Sequence, residues 1–193
     1  LGMRLGGKGM DKLFHNTPWL QSPDNNTLRL EKPLFPNFAQ LPDGELAQTA
    51  IGQGALLVTP LHMAALAAAV ANDGVMMRPY LVSALREAGD ARTLAEPEEW
   101  GKIASAGQAQ AVGKMMALAV QAGTAGGAAV RGVTVAGKTG TAENAAGQPH
   151  AWFIGFAPVE KPSVAIAVLV ENGGGGGAAA APIAARLLQA ALD

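Results

Sequence analysis

The chain has no cysteine and few residues of the kinds that bind metals or nucleic acids. Without cysteine it can form neither a disulfide framework nor a thiol nucleophile. Its three histidines, His15, His62 and His150, lie far apart and lack the spacing of zinc ligands, so we expect no metal site. A net charge of −1 provides no basic surface for phosphates, which argues against a nucleic-acid-binding protein. We therefore predict neither a cofactor nor a nucleic-acid partner.

Long apolar segments are also missing from the 193 residues. The nearest candidate, 55–71, is interrupted by Pro60 and His62, whereas a membrane span needs about 20 predominantly apolar residues. No signal peptide is recognisable. Residues 1–5 have the character of a helix interior, and we therefore expect the chain to be a fragment of a longer protein.

Two helices carry clear start signals. Thr59 precedes Pro60, an N-cap residue followed by proline at the first helical position, and apolar residues then recur at helical spacing. Ser105 and Gln108 form a capping-box pattern in front of a second apolar stripe. A last helix is predicted from Pro182 to the end of the chain.

Three strands follow one another closely, at 133–143, 150–157 and 163–170. Parallel neighbours need a crossover of about a dozen residues, and the connections here are much shorter, so adjacent strands must be antiparallel. Earlier in the chain, the proline-rich residues 17–44 predict an irregular connection, and 86–102 predict a polar, exposed segment. Helices followed by a three-strand meander and a closing helix indicate an α+β fold.

The densest cluster of glycine, threonine and lysine lies at 131–143, RGVTVAGKTGTAE. Gly132 to Thr139 matches the phosphate-binding pattern G-x-x-x-x-G-K-[ST], but such a loop needs a helix directly after it, and the residues that follow cannot form one. As a strand, the segment places Lys138 opposite Thr139, while Thr139 and Thr141 share a side. An ammonium, hydroxyls and open backbone N–H groups suit an extended peptide that ends in a carboxylate.

The K-T-G sequence that begins at Lys138 resembles the third motif of the penicillin-binding transpeptidases. Two further segments resemble the same family: the GQG…TP sequence at 52–60 and the strand HAWFIGFAP at 150–158. Residues 1–7 also resemble the helix that follows the family's S-x-N motif. Three motifs in the right order make the resemblance more specific than K-T-G alone, and it runs from 52 to the end of the chain.

The resemblance implies a β-lactamase/transpeptidase-like fold, incomplete at its N-terminus, and acyl transfer through a serine ester. By analogy, the substrate is the D-Ala-D-Ala stem peptide of peptidoglycan or a β-lactam that mimics it. The substrate carboxylate would bind along the K-T-G strand, through Lys138, Thr139, Gly140 and Thr141. Lys138 would also be catalytic, and the Thr141 N–H would donate to the oxyanion hole, where losing one donor costs ~10²–10³ in rate.

The serine for this chemistry is not recognisable among the 193 residues. The family's S-x-x-K motif needs lysine three positions after the serine, but Ser22, Ser83, Ser105 and Ser163 are followed there by Asn25, Arg86, Gln108 and Ile166. An S-x-N triplet is absent as well. We therefore expect the C-terminal part of a transpeptidase domain, with 1–130 mostly helix and loop and 131–193 a β-meander plus helix. Such a part should be inactive alone, need the N-terminal remainder of its domain, and expose apolar surface.

Three related interpretations stay open: a serine β-lactamase, a β-lactam-sensing receptor, or a non-catalytic peptide- or β-lactam-binding module. The GQG…TP segment favours the transpeptidase. The resemblance also implies a location on the extracytoplasmic face of the bacterial cytoplasmic membrane, with the parent chain anchored in that membrane upstream.

Overall fold

The computed structural model describes residues 1–15, 17–18, 31–87, 90–93, 95–145 and 147–193. The helices are α1 (Gly2–His15), α2 (Asp43–Thr49), α3 (Pro60–Ala71), α4 (Ala106–Ala122) and α5 (Ala180–Leu192). The strands are β1 (Val75–Met77), β2 (Ala84–Glu87), β3 (Asp90–Thr93), β4 (Glu99–Lys102), β5 (Ala136–Ala142), β6 (His150–Ala157) and β7 (Val164–Val170). Within these described residues, none of the helices has the length and apolar character needed to cross a membrane.

The largest sheet has the order β5-β6-β7, and both of its ladders are antiparallel. Thr139 lies opposite Phe153, which in turn lies opposite Val168. The meander predicted from the short connections is therefore confirmed. Its first strand starts at Ala136 and not at 133, because the turn at Gly132 (φ 78°) leaves Val133 in an isolated bridge with Val130.

Helices cover both faces of this sheet. On one face, Phe153 of β6 and Val168 of β7 are buried against Leu188 of α5. On the other, Phe156 of β6 packs with Met116 of α4 and with residues of α3. Side chains alternate between the faces of a strand, so a strand that is apolar at every position can be covered on both sides. The predicted α+β class, an antiparallel sheet packed with helices, is confirmed.

The two predicted helix starts are present. The Thr59 hydroxyl accepts a hydrogen bond from the His62 N–H at 3.2 Å, and α3 begins at Pro60. At the start of α4, the Ser105 hydroxyl accepts from the Gln108 N–H at 3.4 Å, and the Ser105 N–H donates to Gln108 Oε1 at 3.0 Å. This reciprocal pair satisfies two backbone donors that an uncapped helix leaves open.

A separate aromatic cluster holds α1 and α2 together. Phe14 of α1 stacks on Phe38 with ring centroids 4.9 Å apart, and Met10 and Leu46 are buried beside them. Helix α2, within and just after the predicted irregular connection, was not expected. It has seven residues and its N-cap, Pro42, makes no side-chain capping bond, so packing and not local sequence determines it.

The expectation that 86–102 is exposed is wrong for Trp100. This residue is only 7% exposed and packs in β4 against Met76 and Ala69, while Arg78 lies over its ring at 5.6 Å. Strand β4 pairs with β1, and β2 pairs with β3 in a hairpin. A single apolar residue among polar neighbours forms no periodic pattern, so the sequence does not indicate that Trp100 is buried. Its burial follows from its contacts with α3 and β1.

Candidate active site

Strand β5, which carries the K-T-G sequence, lies at an edge of its sheet. In an antiparallel strand, the backbone groups of successive residues point alternately toward and away from the partner. The Ala136 carbonyl faces Gly155 of β6, whereas the Thr141 carbonyl accepts a hydrogen bond from Gln53 Nε2 at 2.9 Å on the opposite side. The N–H and C=O groups of Thr139 and Thr141 therefore face the open edge of β5.

The Lys138 side chain runs from one face of the sheet to this edge. Its stem lines a groove together with Ile154 and Met116, on the α3/α4 face. Its ammonium donates a hydrogen bond to the Thr139 carbonyl, which points outward from the edge. The apolar stem is thus covered, and the charge lies where a ligand along β5 would meet it.

The two threonines lie on the other face, as predicted from strand alternation. The Thr139 hydroxyl is 2.9 Å from the Thr124 hydroxyl, and Thr139 is 9% exposed. Thr141 is exposed, and its hydroxyl accepts a 3.5 Å contact from the Gly176 N–H. Because a hydroxyl has one donor and two acceptor positions, Thr139 can bond Thr124 and still bind a ligand.

A glycine-rich loop packs flat on β5 and β6 at Gly140. A methyl group added to Gly176 would lie 2.4 Å from the Gly140 oxygen and 2.3 Å from the Trp152 oxygen. A methyl on Gly177 would lie 2.5 Å from the Thr124 oxygen. Only residues without side chains allow this approach of three backbone segments.

Gln53 contacts β5 from a distant part of the sequence. Its Nε2 donates to the Thr141 carbonyl, and its Oε1 accepts from the Glu143 N–H at 3.1 Å. The glycines on either side, Gly52 (φ 84°) and Gly54 (φ 76°), adopt left-handed conformations that most residues avoid. Sequence reasoning did not find Gln53, Thr124 or Gly176 as parts of the site, although a glutamine between two glycines was a usable signal for the first.

An apolar groove of about 430 Å³ begins beside Lys138 and runs between α3 and α4. Met115 and Leu118 on α4 are 62% and 60% exposed. The prediction that the chain exposes apolar surface is confirmed. The groove is lined by Leu66, Ala67, Val70, Ile103, Ala104, Ala109, Val112, Met115, Met116, Ala119, Lys138 and Ile154.

The histidines His62 and His150 make structural hydrogen bonds. His62 Nδ1 lies 2.7 Å from the Thr59 hydroxyl, and His150 Nδ1 accepts from the Asn172 N–H at 3.0 Å. Over the described ranges, no group of three or more histidine, aspartate and glutamate residues could hold a metal ion. Ser105 caps α4, and Ser22 lies outside the described residues.

The nucleotide interpretation of 132–139 has no structural support. After Thr139 the chain continues as strand β5 to Ala142, and no helix follows in the described parts of the connection to β6. The N–H groups along β5 alternate between β6 and the open edge, so they cannot converge on one phosphate as the amides of a phosphate loop do.

Residues 23–189 match the family model of the penicillin binding protein transpeptidase domain. The peptidoglycan D,D-transpeptidase PbpA of Mycolicibacterium smegmatis is 44% identical over 134 residues, which are 66% of this chain and 27% of that protein. PbpA of Mycobacterium tuberculosis is 40% identical over 164 residues, or 79% of this chain and 33% of that protein. The structure of penicillin-binding protein A from M. tuberculosis, a ceftriaxone acyl-enzyme complex, superposes with a TM-score of 0.86 at 35% identity. The matched region is 100% of this chain and 45% of the chain in that structure.

Proposed function

The chain belongs to the penicillin-binding protein transpeptidase domain family, and we propose that it supplies the substrate-binding wall of a peptidoglycan D,D-transpeptidase. It spans about a third or less of the curated relatives described above. The proposed reaction is acyl transfer from a D-Ala-D-Ala stem peptide, or from a β-lactam in its place, to a serine that other parts of the protein provide.

The open edge of β5 is the observation that carries this proposal. Within four consecutive residues it offers a carboxylate the Lys138 ammonium, the Thr141 hydroxyl and the outward N–H group of Thr139, and it leaves the outward Thr141 N–H for the reacting carbonyl. A carboxylate accepts hydrogen bonds only, and a cation with several donors is the matching set. An extended peptide added along this edge would place its carboxylate against these groups.

In the proposed reaction, the serine oxygen attacks the carbonyl carbon between the two D-alanines, and negative charge develops on the carbonyl oxygen. The Thr141 N–H is one donor to that oxygen. The C–N bond then breaks, the acyl group stays on the serine as an ester, and the terminal D-alanine leaves with the proton taken from the serine. With a β-lactam, the same bond cleavage opens the ring and no fragment leaves.

The apolar groove between α3 and α4 supports a partner within the same protein. It ends at Lys138, and the exposed Met115 is one of its lining residues. We propose that the part of the domain that carries the serine packs here, which would bring the serine next to the Lys138 ammonium. Burial of apolar side chains contributes roughly 25 cal/mol per Å², so this contact would also stabilise the whole domain.

Because peptidoglycan lies outside the cytoplasm, we propose an extracytoplasmic site of action. The whole 193-residue chain is then the C-terminal part of one transpeptidase domain. Its partners would be the peptidoglycan stem peptide, β-lactams and the remainder of its domain.

Covalent labelling of the complete protein tests this proposal. A fluorescent penicillin should form a stable adduct, and digestion with mass spectrometry should map it to a serine outside the 193 residues. A label on Ser22, Ser83, Ser105 or Ser163 would contradict the assignment, as would no adduct at all. Rapid release of the label would favour the β-lactamase instead.

Lys138→Ala tests the carboxylate site itself. Removing the ammonium should slow acylation of the complete protein about 100-fold, because a charged partner is lost beside the substrate carboxylate. Lys114→Ala is the matched control, since Lys114 is an exposed lysine on α4. Equal acylation by the two variants would remove the role assigned to Lys138.

A further inference from the structure

Gln53 is the one side chain among the described residues that hydrogen bonds the backbone at the outer edge of β5 through both ends of its amide. We propose that Gln53 is a positioning residue that holds the Thr141 N–H in place for acylation. The inference rests on the function proposed above and adds a residue 88 positions away from Thr141 in sequence.

The glutamine amide replaces a neighbouring strand at this edge. A residue in a paired strand offers one N–H donor and one C=O acceptor. Gln53 presents the same combination, with Nε2 donating to the Thr141 carbonyl at 2.9 Å and Oε1 accepting from the Glu143 N–H at 3.1 Å. The bonded carbonyl belongs to the same residue as the Thr141 N–H, and the bonded Glu143 N–H lies two residues later. The two hydrogen bonds limit rotation of the backbone at the C-terminal end of β5, which ends at Ala142.

The two hydrogen bonds from Gln53 to Thr141 and Glu143, called the clamp below, are anchored on a packed helix. The Gln53 N–H donates to the Gln48 carbonyl at 3.0 Å, and the Gly52 N–H donates to the Thr49 carbonyl at 3.0 Å. Thr49 is buried, and its hydroxyl donates to the Glu45 carbonyl at 2.8 Å. Helix α2 in turn packs into the aromatic cluster around Phe38. Gln53 therefore ties the end of β5 to a separate packed unit of the domain.

The clamp also limits how far a ligand can extend along β5. Gln53 occupies the Thr141 carbonyl and the Glu143 N–H, so an added peptide can pair with the edge only up to the Thr141 N–H. The reacting carbonyl would then meet the last free donor of the edge. Small displacements of such a donor matter, because about 1 Å of misplacement can cost on the order of 100-fold in rate.

The test compares Gln53→Ala and Gln53→Glu in the complete protein, with Gln110→Ala as control. Gln110 is an exposed glutamine whose amide binds Asp73 at 2.9 Å, away from β5. Stopped-flow acylation by penicillin G should show a rate constant lowered about 10- to 100-fold in both Gln53 variants. The dissociation constant of the preceding noncovalent complex should stay within about two-fold, because the carboxylate-binding groups remain. Gln110→Ala should match the unsubstituted protein.

Gln53→Glu keeps the shape of the side chain and the acceptor for the Glu143 N–H, but it loses the donor to the Thr141 carbonyl. If Gln53→Ala folds poorly, the acylation rate of Gln53→Glu alone tests whether Gln53 positions the Thr141 N–H. Unchanged acylation in Gln53→Glu would overturn the inference, and so would a loss confined to the dissociation constant. A matching loss in Gln110→Ala would overturn it as well. If the unsubstituted protein is not acylated at all, the proposed function fails instead, which separates the two results.

Discussion

The contact between Gly176 and the strands gives a prediction whose size follows from the structure. A methyl group at 176 would lie 2.3 Å from the Trp152 oxygen and 2.4 Å from the Gly140 oxygen, and ordinary van der Waals contact begins near 3.4 Å. In Gly176→Ala, the loop or β5 must therefore move by roughly 1 Å. Overpacking of this kind costs about 1–3 kcal/mol. Since both close atoms are backbone oxygens, no side-chain rotation can relieve it.

Gly175→Ala is a matched control one residue away. A methyl at 175 meets nothing within 4 Å, so this variant adds the same group in open space. In a domain of this size, each kcal/mol lowers the melting temperature by about 2–4 °C. Gly176→Ala should therefore melt several degrees lower than Gly175→Ala. It should also be acylated more slowly by a β-lactam, because Gly140 lies between the two threonines of the site. Identical melting and acylation in the two variants would show that the loop does not press on β5.

Three smaller predictions concern other parts of the fold. Ser105→Ala should lower the free energy of unfolding by about 1 kcal/mol, seen as a lower melting temperature, without changing acylation, because only the α4 cap is lost. Phe153→Ala should cost about 3–5 kcal/mol by leaving a cavity under β5, and a loss below 1 kcal/mol would contradict its burial. The Thr134 hydroxyl lowers the pKa of Glu160, so Thr134→Val should raise that pKa in an NMR titration. The stabilisation from this bond is present above the pKa of Glu160 in the unfolded chain and is lost as the pH falls through its pKa in the folded protein. The difference in free energy of unfolding between Thr134→Val and the unsubstituted protein should therefore be smallest in acid.

Local patterns with a direct physical cause were predictable from the sequence. The caps at Thr59 and Ser105 each satisfy backbone donors within three residues, so their effect does not depend on the rest of the fold. The antiparallel meander followed from connection length alone. The opposite sides taken by Lys138 and Thr139 followed from strand alternation.

Features that depend on distant contacts were not predictable. Trp100 is buried by contacts with Ala69 of α3 and Met76 of β1, and α2 is held by the aromatic cluster and not by its own sequence. The contact of Gln53 with Thr141 joins residues that no local rule brings together. In each case tertiary packing overrides weak local preference, which is the usual reason for such failures.

The two faces of β5 limit the direction from which a nucleophile can reach the proposed site. On the threonine face, Gly176 packs against Gly140, and Thr124 bonds the Thr139 hydroxyl, so the chain itself covers part of that face beside the exposed Thr141. On the other face, the groove beside Lys138 is open and apolar. We propose that a serine acting on a peptide along the edge arrives from the Lys138 side, where the groove offers space. Because its approach would pass the ammonium, we propose that Lys138 stabilises both the substrate carboxylate and the charge that develops during attack.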